Sequence, residues 1–181
     1  MAICTLLGHV SRALAFCEKD NKYFSIGKPT PWAAGEVDDF DETKDYELNP
    51  PDPKNTDTIL DIVGFKKVEF CSMVVPDNAA GTLEYRGTKW RIVPKEQAYR
   101  EGARWVYLSV EFTYNELPIT VPYRQVGVHT GLVLRADVNP AKYAVLPEEV
   151  DDPGILEILD NRKPIYRDAD VKERVRIILE F

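Results

Sequence analysis

A chain of 181 residues with 44% hydrophobic and 29% charged residues can bury a core of its own, which excludes an intrinsically disordered polypeptide. The net charge of −7 is concentrated in residues 35–61, where ten acidic residues stand against only Lys44 and Lys54. The remainder is close to neutral and has no basic stripe to follow a phosphate backbone, so nucleic acid is excluded as a partner.

Ile3, Leu6, Leu7, Val10, Leu14 and Cys17 recur at spacings of three and four, which predicts a helix from Ile3 to Glu18 with one apolar face. Gly8, His9 and Arg12 interrupt that face, and the stretch lacks both a basic leader start and the ~20 apolar residues of a membrane span. Cys4, Cys17 and Cys71 are an odd set at wide spacing, read as buried thiols of a protein made in a reducing cytoplasm. Tyr23 to Ile26 then reads as a short extended segment closed by Gly27.

From Pro29 to Pro53 the chain carries Pro29, Pro31, Pro50, Pro51 and Pro53 around the acidic run, which rules out helix and ladder there. This stretch is expected to be an arm laid on a neighbouring subunit, the alternative being a solvated acidic loop. A short helical turn is expected near Thr58 to Val63. Beyond it the period changes to two, with Val68, Phe70, Ser72 and Val74 on one side of a strand.

Thr82 to Tyr85 and Lys89 to Val93 flank Arg86-Gly87-Thr88 as a hairpin, and Lys95 to Glu101 reads as a short helix stopped by Gly102. Arg104 to Tyr114 is expected to be the longest strand and central in its sheet, with Val106, Leu108, Val110 and Phe112 on its aliphatic face. Further strands are expected at Tyr123 to Val128, Leu132 to Arg135, Ile155 to Leu159 and Arg174 to Phe181. The fold class is α+β, a mostly antiparallel β-sheet domain with an N-terminal helix and a long proline-rich acidic arm. Its divisions are residues 1–32, 33–57 and 58–181.

Chemistry-bearing constellations are sparse. His9 and His129 sit in no metal-ligand pattern, and Cys4, His9 and Cys17 do not share a helix face. Asp39, Asp41, Thr43, Asp45 and Glu47 alternate as in a calcium loop, but Lys44 stands where that loop needs glycine and Pro50 where it needs glutamate. No serine lies in a nucleophile elbow and no glycine-rich phosphate loop can be drawn. No catalytic, cofactor or metal residue is therefore assigned.

The string Tyr23-Phe24-Ser25-Ile26-Gly27-Lys28-Pro29-Thr30-Pro31-Trp32, followed by Asn49-Pro50-Pro51-Asp52-Pro53, resembles a module of baseplate wedge proteins of T4-like and related contractile-tailed phages. Tyr123-Arg124-Gln125-Val126-Gly127-Val128 is similar to an arginine-glutamine strand of that family. Asp160-Asn161-Arg162-Lys163-Pro164-Ile165 through Ile178-Leu179-Glu180-Phe181 is similar to its C-terminal ending. The acidic insert between Trp32 and Asn49 is longer than the family's usual linker.

The resemblance implies a virion protein, assembled in the host cytoplasm, that joins other wedge and tail proteins and is able to pair with its own copies. Trp32, Pro29, Pro31, Pro50 and Pro51 are the expected interface residues, with Arg124 and with Arg162 in a predicted Asp160–Pro164 turn. Trp32 capping its own core and internal salt bridges at the two arginines are the alternatives. Two functions compete with this one: a head-to-tail connector or tail-completion protein, and a tail-associated hydrolase that uses a carboxylate pair with Trp90 and Trp105 stacking on sugars.

Overall fold

The computed structural model describes residues 3–32, 50, 52–113, 116–118, 121–167 and 172–181. In chain order the helices and strands are α1 (Leu6–Glu18), β1 (Tyr23–Gly27), β2 (Gly64–Lys67), β3 (Phe70–Pro76), β4 (Leu83–Tyr85), β5 (Thr88–Ile92), α2 (Ala98–Glu101), β6 (Trp105–Phe112), β7 (Tyr123–Thr130), β8 (Val133–Leu134), β9 (Ala144–Val145), β10 (Val150–Asp152), β11 (Ile155–Ile165) and β12 (Glu173–Glu180). They fall into two units, one of Met1–Lys19, Val68–Glu111 and Arg174–Phe181, the other of Asp20–Lys67 and Phe112–Glu173.

In the first unit β12-β6-β3-β5-β4 form a five-stranded sheet, and α1 packs on β3. Thr5 accepts the Gly8 amide at 3.2 Å and so starts the helix at Leu6, which leaves Ile3 before it and exposed. Val10, Ala13 and Phe16 form the helix's buried face, with Phe16 5.3 Å from Phe181, centroid to centroid. Val106, Leu108, Val110 and Phe112 of β6 are all fully buried, as the alternation requires. The β4–β5 hairpin turns through Arg86 and Gly87, both at positive φ, the backbone of a two-residue type I′ turn.

Gly102 closes α2 in the left-handed region, after a 3-10 turn at Lys95–Gln97. Arg91 of β5 bonds Asp77 at 3.0 Å and Glu101 of α2 at 2.9 Å. The Ala80 amide, at 2.8 Å, and then Arg91 hold the Asp77 carboxyl below its usual range, and Arg91 does the same for Glu101. Arg176 of β12 donates to the Glu84 carbonyl in β4 at 3.4 Å, so the two edge strands come within one side chain of each other. The cysteines are half-buried rather than buried: Cys4 precedes α1, Cys17 lies in its last turn, and Cys71 sits near the start of β3, all at margins of the core.

In the second unit β11-β7-β1-β2-β9 form an antiparallel sheet, and β8 pairs with β10. All eight residues of β7 are buried, and β11 and β1 pair with its two edges. Tyr23, Phe65, Leu132 and Val145 make a core, with half-buried Ile62, Leu134 and Val150 against it. The longest described strand is β11, with 11 residues against eight in β6. Its Asp160–Pro164 stretch is strand and not turn, because an edge strand tolerates a proline whose missing N–H needs no partner; the register also shifts there.

Thr58 to Val63 form no helix. The Leu60 carbonyl and the Leu60 and Val63 amides are bonded to other segments, and Asp61 has φ 44°, so no i to i+4 ladder can form. Of the acidic arm expected at 33–57, residues 33–49 and 51 lie outside the described residues.

His129 of β7 is 3% exposed. Its Nδ1–H donates to the Pro153 carbonyl at 3.1 Å, its Nε2 is buried without a hydrogen-bond partner among the described residues, and the Phe65 ring stands edge-on at 5.3 Å. Burial pulls its pKa from 6.5 down to about 4, so between those values the unfolded chain binds a proton that the folded chain refuses. Stability contributed by neutral His129 is complete above pH 6.5 and is lost as pH falls toward 4. Urea unfolding should therefore show a loss of about 2 kcal/mol between pH 7 and 5, and His129→Gln should remove most of that slope.

Candidate functional site

β1 ends at Gly27, and Lys28, at φ 55°, turns the chain out of the sheet into Pro29-Thr30-Pro31-Trp32. The chain is described again at Pro50 and from Asp52, where Asp52 accepts the Lys54 amide at 3.0 Å and the Asn55 side-chain amide at 2.9 Å around Pro53. Outgoing and returning limbs are joined at their base. The Lys28 amide donates to the Leu60 carbonyl at 2.6 Å, and the Val63 amide to the Ile26 carbonyl at 2.8 Å.

Two consecutive residues of β7 hold these limbs. Arg124, fully buried, donates from Nη1 to the Pro29 carbonyl at 2.6 Å. Gln125, also fully buried, accepts the Leu60 amide at 2.9 Å through Oε1 and donates from Nε2 to Asn161 Oδ1 of β11 at 2.9 Å. Neighbouring side chains of a strand point to opposite faces, so Arg124 holds the outgoing limb from one face and Gln125 the returning limb from the other.

The Gln125 face also carries Gly27, paired with Gln125, and Gly127, paired with Ser25. Ile59 fills the space that their missing side chains leave. A Cβ on Gly27 would lie 2.3 Å from Ile59 Cγ2 and 2.7 Å from the Leu60 carbonyl, and one on Gly127 would lie 2.3 Å from Ile59 Cδ1. Arg124, Gln125 and Gly127 thus have one task each: outgoing limb, returning limb, and room for Ile59.

Two further charge clusters lie in this unit. The Lys66 ammonium, 3% exposed as a residue, is 2.5 Å from Glu116. Burial pushes the Glu116 carboxyl up, but the hydrogen bonds from Lys66 and the Thr113 amide outweigh it and hold the carboxyl below its ordinary value. The Tyr123 hydroxyl donates to Glu173, and burial together with that carboxylate raises its pKa, keeping it a neutral donor. Arg167 donates to the Leu117 and Thr113 carbonyls at 3.2 and 3.1 Å and lies 4.0 Å from Glu173.

Of the residues expected at an interface, the structure brings Pro29 and Arg124 together. Trp32 is half-buried, with the Lys28 ammonium 5.3 Å from its ring centroid; Pro31 is exposed and Pro50 half-buried. Pro51 lies outside the described residues. Arg162 pairs with Asp160 at 2.9 Å on β11. Trp90 and Trp105 stand edge to face at 5.9 Å, with the Arg104 guanidinium 4.4 Å over Trp105.

Sequence reasoning missed Gln125, Gly27, Ile59 and the Lys66–Glu116 pair. One signal was available: two polar residues side by side in an otherwise apolar strand must find partners when buried. Gln125→Ala leaves the Leu60 amide without its acceptor and should cost about 1–3 kcal/mol. Gly127→Val forces Ile59 out and should cost about as much or more. Both are read as lowered midpoints in urea unfolding, and Thr56→Ala, a change away from the clamp, is the reference that should hardly move.

The profile of a family described as "Baseplate wedge 3 tail fiber network component" matches residues 1–181. Virion protein 3 of Enterococcus phage phiEF24C is 37% identical over 188 aligned residues, which cover 99% of this chain and 96% of that protein. No helix among the described residues is long and apolar enough to cross a membrane. With a family match along its whole length and a virion protein as a full-length relative, the chain belongs to the baseplate wedge 3 tail fiber network component family and is a structural protein of the phage tail baseplate.

Proposed function

We propose that this subunit joins neighbouring wedge and fibre proteins by presenting Pro29–Trp32 and the acidic segment that follows from the clamp on β7. The observation that carries this reading is the pair of grips on one strand, Arg124 on Pro29 and Gln125 on Leu60. A segment held at both ends starts from a fixed position. Its prolines have little conformational freedom to lose on docking, and Trp32 supplies the large amphipathic side chain that dominates interface energies. The concentrated negative charge of residues 35–61 suits a basic surface on the partner.

Arg124 contributes indirectly, by positioning Pro29, while Pro31, Pro50 and Pro51 stiffen the segment. Arg162, on the edge strand β11, is a second contact point. In this reading the protein acts by holding its neighbours, turns over no substrate, and enters the particle during assembly in the host cytoplasm.

The test is binding of the purified chain to the other wedge and fibre subunits of the same phage, expressed one at a time. Trp32→Ala should weaken the productive pair at least tenfold while moving the melting temperature by less than about 2 °C. Replacing residues 33–48 with a short Gly-Ser linker should weaken the same pair, and raised salt should weaken the wild type more than that variant. A Trp32→Ala protein that melts much lower yet binds as before would show that Trp32 caps its own core, and the proposal would fail.

A further inference from the structure

Cys17 in the last turn of α1 and Cys71 near the start of β3 bring their sulfurs to 3.8 Å. Both belong to the same compact unit. Met73 follows Cys71 on the same face of β3 and places Sδ 3.6 Å from Cys17 Sγ, so three sulfur atoms cluster where the helix ends on the sheet. The two thiols are half-buried, which leaves them within reach of a small oxidant. Cys4 stands before α1. Thirteen positions at ~1.5 Å each put it about 20 Å from Cys17 along the helix axis, beyond bonding range.

We propose that Cys17 and Cys71 are an oxidation-sensitive pair that closes into an intramolecular disulfide and ties α1 to β3. A disulfide needs its sulfurs about 2.05 Å apart. From contact at 3.8 Å, rotation of both side chains and a small shift of the helix's last turn supply the rest. Neighbouring elements hold the pair in place: Cys71 is opposite Leu108 in the β3–β6 ladder, and Phe16, beside Cys17, packs on Phe181.

Glutathione disulfide is a sufficient oxidant. The thiolate of one cysteine attacks the S–S bond of glutathione disulfide, forming a mixed disulfide and releasing one glutathione thiolate. The thiolate of the second cysteine then attacks the protein sulfur of that mixed disulfide, forming the Cys17–Cys71 bond and expelling the second glutathione. Two protein thiols are oxidised by two electrons, one glutathione disulfide is reduced to two thiols, and the two protons pass to those thiols. A reducing cytoplasm keeps the pair open, and a released particle meets a medium in which disulfides persist. That timing rests on the virion role; the bond itself does not.

Linking positions 54 residues apart restricts the unfolded chain, so the oxidised protein melts several degrees higher than the reduced one. The experiment incubates the purified full chain with glutathione disulfide, blocks remaining thiols with N-ethylmaleimide, digests without reductant and identifies linked peptides by mass spectrometry. The expected result is one intramolecular Cys17–Cys71 link with Cys4 alkylated. Cys4→Ser keeps the link, whereas Cys17→Ser and Cys71→Ser each abolish it together with the dithiothreitol-sensitive gain in melting temperature. Three alkylated cysteines after prolonged oxidation, a link that uses Cys4, or a melting gain that survives in Cys17→Ser would each overturn the proposal. Because no partner subunit is present, failure here leaves the wedge reading untouched.

Discussion

Polar groups buried inside a sheet must be bonded, and that requirement organises the second unit around β7. Arg124 and Gln125 are fully buried in the interior of the strand order, where water cannot satisfy them. Backbone atoms of a segment remote in sequence do so instead: the Pro29 carbonyl and the Leu60 amide. Each side needs the other, because the limbs leave their ladder at Gly27 and regain one only at Gly64, and their own polar groups need partners too. Ile59, seated over Gly27 and Gly127, adds apolar packing at the same place. The proline-rich excursion is thereby rooted in the sheet from which it departs.

Local signals were legible in the sequence and long-range ones were not. Spacings of three and four gave away α1, strict alternation gave away β6, and Arg86-Gly87 marked a hairpin, since each depends on residues close together in the chain. Thr58 to Val63 has the local pattern of a helical turn, and nothing local reveals that Gln125, 65 positions beyond Leu60, takes its amide. Pro164 suggested a turn because an edge position, where proline is harmless, is a property of the whole sheet. The interleaving of segments in the two units is of the same kind.

The candidate site divides along the same line. Trp32 and the flanking prolines stood out by composition, and the arginine-glutamine strand stood out by resemblance. Why that strand carries arginine, glutamine and glycine in that order emerges only from what each of the three touches in the folded chain. Family membership places the chain in the baseplate rather than at the head-to-tail junction. A scaffold subunit needs surfaces that stay in position, and in the proposed function the two limbs bonded to one buried strand meet that need. The sulfur pair in the first unit has a related logic, since it offers a covalent restraint on a helix whose exposed Leu6 and Leu7 face solvent.

Backbone amide hydrogen exchange on the isolated chain tests the clamp most directly. The account predicts that the Lys28, Leu60 and Val63 amides exchange as slowly as the interior amides of β1 and β7, because all open only when the sheet does. Exchange of those three at the rate of unstructured peptide, while β1 and β7 remain protected, would contradict it.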